Sequence, residues 1–286
     1  MIVPARLLET CRTSTLGAEW LRQLPDVVHE LANQWSLDVA APFDSDEVSC
    51  AWVAPVMRAD GTAAVLKVGM PHFEAAHEIE GLRFWNGNPT VRLLASDEDL
   101  NAMLLEACEP GTNLRATTEP EQDRIIASLL RRLWRMPPSP HPFRKLADQL
   151  SVWADEARAH FDEWPDPGLI EAGLALFREL PQRAPSETLL ATDLHAGNVL
   201  RAQREPWLVI DPKPFIGDPA YDATQHLLNC RDRLRDDVER TIRGLADLLE
   251  ISHERVRLWT FARLAVASAH GAYAAADAAL ARGVAP

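Results

Sequence analysis

The stretch Thr192-Asp193-Leu194-His195-Ala196-Gly197-Asn198-Val199-Leu200, followed by Trp207-Leu208-Val209-Ile210-Asp211-Pro212, decides how this chain is read. It sets out one carboxylate, an asparagine after four intervening residues, and a second carboxylate closing an apolar run. Phosphoryl transfer needs that inventory. One carboxylate orients or receives the proton of an attacking hydroxyl, while an amide oxygen and a second carboxylate hold Mg²⁺ against nucleotide phosphates. The Asp-x4-Asn spacing is that of a kinase catalytic loop, and Asp211 stands where the downstream metal-binding aspartate is expected. A lone Asp-x4-Asn arises by chance, so its context matters. Leu189, Leu190 and Ala191 form an apolar lead-in, residues 199–200 and 208–210 read as two short strands, and residues 201–206 as the polar turn between them. A hairpin with Asn198 at its entrance and Asp211 at its exit brings both side chains to one end.

Upstream, Lys67 lies in the run Ala64-Val65-Leu66-Lys67-Val68. An ammonium group within an apolar strand is costly unless it is paired. Glu78 on the following helical segment is the natural partner, as in a phosphate-holding Lys–Glu pair, with Glu74 and Glu80 competing for the role. A surface lysine on an edge strand is the plainer alternative. The loop that covers a nucleotide should precede Lys67, around residues 44–50, where Ser45 or Ser49 can touch phosphate; no Gly-x-Gly-x-x-Gly occurs there. The apolar strand Met103-Leu104-Leu105-Glu106-Ala107 is where a hinge would offer backbone groups to adenine, at Leu105 and Ala107.

Composition sets the frame. The chain has 286 residues, comfortable for two lobes, with 47% hydrophobic and 25% charged residues, ordinary values for a folded protein. Its net charge of −13 argues against a nucleic-acid partner and favours cationic small molecules, which an acidic cleft attracts. Cys11, Cys50, Cys108 and Cys230 are far apart without a Cys-x-x-Cys pair, so free thiols in a reducing cytoplasm are expected. No signal peptide and no apolar run of membrane-spanning length is read, so no membrane partner is expected.

Apolar spacing predicts a helix over 16–37 with a break or kink near Pro25, strands over 50–57 and 62–68 joined by an Asp60-Gly61 turn, a helix over 74–85, and strands over 91–94 and 102–106. Helices follow at about 119–136, 143–163, 167–180, 219–230, 232–249 and 253–281, with the hairpin as the only sheet. The Ala-rich end reads as a fraying helix. This is an α+β, two-lobed layout, with an N-terminal nucleotide-binding lobe over 1–107 and a helical catalytic and substrate-binding lobe over 108–286.

Taken together, residues 64–68, 78–85, 91–94, 104–106 with Pro110-Gly111, 190–200, and Ile210-Asp211-Pro212-Lys213-Pro214 with Gly217-Asp218-Pro219-Ala220-Tyr221-Asp222 resemble the aminoglycoside phosphotransferase superfamily, and within it the streptomycin 6-kinase (aminoglycoside/hydroxyurea antibiotic resistance kinase) group. The resemblance implies a protein-kinase-like fold, ATP with Mg²⁺, and γ-phosphate transfer to a hydroxyl of streptomycin. Asp193 would be the catalytic base, Asn198 and Asp211 the metal ligands, and Lys67 with Glu78 the phosphate clamp. Ala191-Thr192 departs from the superfamily's usual His-Gly before the catalytic aspartate, which removes a side chain that braces the loop. His195 is read as a loop brace, Lys213 as solvated, and Asp218 and Asp222 as loop and helix-cap residues. Asp162, Glu163 and Asp166 are candidate contacts for a guanidinium. The alternatives are a kinase of another hydroxylated or hydroxyurea-type compound, and a non-catalytic kinase-like binding module. A monomer or weak homodimer is expected.

Overall fold

The computed structural model describes residues 1–45, 49–73 and 76–286, and begins with two helices, α1 (Ala5–Arg12) and α2 (Thr15–Gln34). α1 has no counterpart in the sequence reading. α2 continues past Pro25, where a break or kink is predicted, so there is no break: its face of Gly17, Leu24, Val28 and Leu31 is buried, and that burial outweighs one lost backbone bond. Then come β1 (Leu37–Val39), β2 (Ala51–Arg58), β3 (Ala63–Gly69), α3 (Glu78–Trp85), β4 (Leu93–Asp97) and β5 (Ala102–Glu106). The strands form one antiparallel sheet in the order β1-β2-β3-β5-β4. Gly61, at φ 80°, closes the turn between β2 and β3, a conformation that costs glycine little.

Strand alternation sorts the two faces of this sheet. Ala64, Leu66 and Val68 of β3 join Trp52, Val56 and Leu104 in a core with Leu7, Leu24 and Leu31 of the first two helices. Val65 faces the other way, into a second cluster of Ile79, Leu82, Val91, Met103 and Leu105. Lys67 shares the parity of Val65 and so points to the α3 side. Where a strand over 91–94 is predicted, β4 starts only at Leu93, because the Val91 N–H bonds the Val209 carbonyl at 3.0 Å.

The remaining elements are α4 (Glu119–Leu133), α5 (Leu146–Ala159), α6 (Pro167–Gln182), β6 (Thr188–Leu190), β7 (Val199–Arg201), β8 (Trp207–Val209), β9 (Phe215–Gly217), α7 (Pro219–Asn229), α8 (Arg231–Asp236), α9 (Val238–Leu249), α10 (His253–Ala267) and α11 (Ala274–Val284). Two compact units emerge, Met1–Thr112 with Leu200–Ile210, and Asn113–Val199 with Asp211–Pro286. This division differs from a simple cut at 107/108, since most of the β7–β8 hairpin packs with the first unit. Arg204 at its turn explains why: it pairs with Glu106 at 2.8 Å and donates to the carbonyls of Gly87 at 2.7 Å and Thr90 at 3.0 Å.

In the second unit, α10 is central, packing on α5, α6, α7, α9 and α11. The hairpin is not the only sheet after residue 108, because β6 pairs with β9 in this unit, all six residues buried. The predicted helix over 232–249 divides at Asp237, whose carboxylate accepts from the Arg240 N–H and starts α9. The one over 253–281 divides where Gly271 takes φ 95°. The Ala-rich end does not fray: Asp277, Leu280, Ala281 and Val284 are buried, and Arg257 donates to the carbonyls of Val284 and Ala285.

A buried cluster ties α4, α7 and α8 together. The Asp123 carboxylate accepts from His226 at 2.9 Å and from two nitrogens of Arg233 at 3.0 and 2.7 Å. Burial pulls the His226 pKa down, but Asp123 and Cys230 outweigh it and the net shift is up, to about 9. Burial likewise raises that of Asp123, while His226 and Arg233 more than reverse it. A histidine raised in the folded state stabilises fully below its ordinary pKa and loses that stabilisation as pH climbs through the folded value. Thermal unfolding should therefore show Tm falling between about pH 6.5 and 9. In Asp123→Asn, destabilised throughout, that slope should flatten.

Candidate active site

The catalytic-loop candidates gather in the second unit, in the segment that follows β6. Asp193 ends a three-residue turn in which its N–H donates to the Ala191 carbonyl at 2.6 Å. The central residue, Thr192, has φ 45°, rare for a β-branched side chain. Three bonds hold it there. Its N–H donates to Asp222 Oδ1 at 2.7 Å, its hydroxyl donates to the Lys213 carbonyl at 2.7 Å, and the Ala191 N–H beside it donates to Asp222 Oδ2 at 2.9 Å. Asp222 is fully buried and also accepts from Trp134 Nε1 at 3.0 Å; burial pushes its pKa up to about 6 against these donors. Asp222 thus braces the loop from behind rather than capping a helix. Asp218 does cap α7, accepting from the Ala220 N–H at 3.0 Å, and also accepts from Trp259 at 2.6 Å and from Arg255.

The Asp193 carboxylate is held on both oxygens. Lys213 Nζ lies 2.7 Å from Oδ2, and Gln225 Nε2 donates to Oδ1 at 2.6 Å. Lys213, read from the sequence as solvated, is an ion-pair partner of Asp193. His195 Nδ1 accepts the Gly197 N–H at 3.0 Å, which leaves the proton of a neutral ring on Nε2, 4.0 Å from Asp193 Oδ1. It braces the turn. A side chain at Gly197 would strike His195 and Arg115, since an added Cβ would lie 2.6 Å from the imidazole. Asn198 Nδ2 donates to the Asp193 carbonyl at 2.9 Å, which ties the two residues into one turn. Asp211 takes φ 53°, a second strained non-glycine backbone in this unit, and such strain persists where surrounding structure overdetermines it.

In the first unit, Lys67 Nζ donates to both carboxylate oxygens of Glu78, at 2.6 and 2.7 Å, and both residues are buried. Of the competitors, Glu80 lies 3.7 Å from His77 and Glu74 falls outside the described residues. The Leu105 side chain is buried in the apolar cluster of this unit, and its backbone lies between Val65 and Leu93 in the sheet, so Leu105 is engaged rather than open to a ligand. Ala107, with Thr62, Arg92, Glu106, Glu109 and Arg204, lines a cavity of about 540 Å³. Ser49 donates to Cys50 Sγ at 3.7 Å, and residues 46–48 of the expected nucleotide loop lie outside the described residues.

Gln225 and Arg204 carry no sequence signature; each lies far along the chain from its partner, and spacing rules cannot reach them. Of the candidate guanidinium contacts, Asp166 is already engaged, accepting from the Leu169 N–H at 3.2 Å and from Arg282 at 2.6 Å. Asp162 and Glu163 sit in an exposed turn.

A family model described as "Aminoglycoside/hydroxyurea antibiotic resistance kinase" matches residues 39–276. The chain is 37% identical over 258 residues to a "Streptomycin 6-kinase" of Streptomyces glaucescens, covering 87% of this chain and 83% of that one. It is 35% identical over 269 residues to a "Hydroxyurea phosphotransferase" of Kitasatospora aureofaciens, covering 92% and 78%. Among solved structures, choline kinase LicA from Streptococcus pneumoniae aligns with a TM-score of 0.67 at 13% identity, over 92% of this chain and 99% of that one. At that identity the likeness concerns the fold, which is a kinase-like α+β one. With a sheet-rich first unit, a helical second unit and a family match across most of its length, the chain belongs to the aminoglycoside/hydroxyurea antibiotic resistance kinases.

Proposed function

We infer that this protein transfers the γ-phosphate of ATP, with Mg²⁺, to the 6-hydroxyl of streptomycin, and that cells carrying it resist that drug. The observation that carries the chemistry is the bond from Asn198 Nδ2 to the Asp193 carbonyl, 2.9 Å, which locks a proton acceptor and an oxygen ligand into one rigid turn. The acceptor is supported by the streptomycin kinase at 37% identity and by the net charge of −13, suited to a substrate with two guanidinium groups.

The donor set suits Mg²⁺. Asn198 Oδ1 and the Asp211 carboxylate are hard oxygen ligands, and Mg²⁺ on a nucleotide needs only one or two carboxylates, the rest coming from phosphates and water. When bound, the metal–nucleotide supplies the phosphoryl group and neutralises its charge. Asp193 orients the acceptor hydroxyl and takes its proton as that oxygen bonds to the γ-phosphorus and the bond from phosphorus to the bridging oxygen breaks, releasing ADP. Lys213, on a flexible stem, pairs with that carboxylate at 2.7 Å. Lys67, fixed by Glu78, grips the nucleotide phosphates, and the backbone at Ala107, just past the end of β5, receives adenine. The protein acts in the cytoplasm, where ATP is available, as a monomer or weak homodimer; no described helix is long and apolar enough to cross a membrane.

The relative that phosphorylates hydroxyurea keeps a second acceptor class open. Purified protein, ATP and Mg²⁺ are mixed separately with streptomycin, kanamycin, gentamicin and hydroxyurea, and products are weighed by mass spectrometry. A single added phosphate on streptomycin, absent from kanamycin and gentamicin, is the expected result. Phosphorylated hydroxyurea with unmodified streptomycin would reverse the assignment.

A further inference from the structure

Two neighbours hold the Asp193 carboxylate, and they are unlike. Lys213 is a long flexible cation. Gln225 is itself anchored: its Oε1 accepts from Arg263 Nη2 at 2.6 Å, while Arg263 Nη1 donates to Thr224 Oγ1 at 2.7 Å. The guanidinium also lies over the Tyr221 ring, 4.7 Å from its centroid. α7 and α10 therefore converge on one amide.

The chemistry of that amide settles its direction. A guanidinium has five donors and no acceptor, so it can meet only the amide oxygen. The NH₂ end must then face Asp193, which as a carboxylate can only accept. Arg263 fixes the polarity of Gln225, and Gln225 passes an N–H to the carboxylate. An Asp side chain is otherwise free to turn about its broad terminal torsion. Its four lone-pair sites leave room for a substrate hydroxyl beside both partners.

We propose that Gln225, polarised by Arg263, is a positioning residue that holds the Asp193 carboxylate in register with the acceptor hydroxyl. It is the fixed anchor, and Lys213 the movable one. The proposal rests on the reading of Asp193 as the base. The charged or titratable groups around that carboxylate are Lys213 after β8, His195 on its own loop, Arg263 of α10 behind Gln225, and Asp222 of α7 behind the loop backbone.

The test measures kcat and nucleotide KM by nucleoside diphosphate release with streptomycin, from about pH 5 to about pH 9, for Asp193→Asn, Gln225→Leu, Gln225→Glu, and Arg263→Met alone and with Gln225→Leu. Gln225→Leu should lower kcat by about 30-fold through misplacement of the base, with nucleotide KM within about twofold. On that background Arg263→Met should cost no more than about a further twofold, because Arg263 acts through the amide. Gln225→Glu keeps the shape but sets a carboxylate against a carboxylate, and should move the acid limb of kcat up by about one pH unit. A merely structural role would not move that limb. An unmoved limb, or wild-type kcat in a folded Gln225→Leu, overturns the proposal while Asp193→Asn is inactive. If Gln225→Leu does not fold, the isosteric Gln225→Glu decides alone. Normal turnover by Asp193→Asn instead overturns the reading of the base, and the proposal falls with it.

Discussion

Asp193→Asn should lower kcat by roughly a thousandfold while the dissociation constant for the nucleotide stays within about threefold, the range expected when a positioned general base is removed. The substitution keeps size and shape but removes the proton acceptor. The bound ATP should be largely unaffected, because in the proposed mechanism Asp193 acts on the acceptor hydroxyl and other residues hold the phosphates. Asp211→Ala and Asn198→Ala should behave differently, weakening Mg²⁺-dependent nucleotide binding as well as rate. Isothermal titration with and without Mg²⁺, beside single-turnover kinetics, separates the two patterns. A kcat for Asp193→Asn within about tenfold of wild type would show that the loop is assigned wrongly.

The second large effect concerns the first unit. Lys67→Met and Glu78→Gln should each cut kcat/KM by about a hundredfold or more and lower Tm, and the double change should cost clearly less than the sum of the singles. Lys67 is 8% and Glu78 4% exposed, and removing one partner strips the other buried charge of its two-bond ion pair. Breaking a buried pair from one side costs about 3–5 kcal/mol, whereas the second removal has no such pair left to break. Two bonds of 2.6 and 2.7 Å between the same side chains make the pair bidentate, so the coupling should appear in stability and in kcat/KM together. A double-mutant cycle with strict additivity would dissolve the pair and shift the phosphate grip to another residue.

Residues close in sequence announced most of what local rules can reach. Asp193 and Asn198 share one turn, so their spacing and its apolar context lay within reach of local rules, and the reading of a phosphoryl-transfer loop rests on them. The alternation of Val65 and Lys67 against Leu66 and Val68 puts the lysine on the α3 side of the sheet, because side chains in a strand face opposite ways at every step. The Asp60-Gly61 turn and the registers of β2 and β3 follow from turn chemistry for the same reason. A helix predicted past Asp237 or Gly271 overruns, since a cap or a positive φ ends an apolar repeat that periodicity alone would continue. What lay beyond sequence reading was set by contacts between distant segments. Lys213 reads as solvated and Asp222 as a cap until the chain returns to bring one against the Asp193 carboxylate and the other against the backbone of Ala191 and Thr192. Gln225 and Arg263 meet across two helices separated by nearly forty residues, and Arg204 reaches Glu106 from almost a hundred away. A composition or a period records which residues are apolar and how often; it does not record which distant donor will face which acceptor. That selection belongs to packing, since a buried carboxylate left without donors would cost more than any local preference supplies.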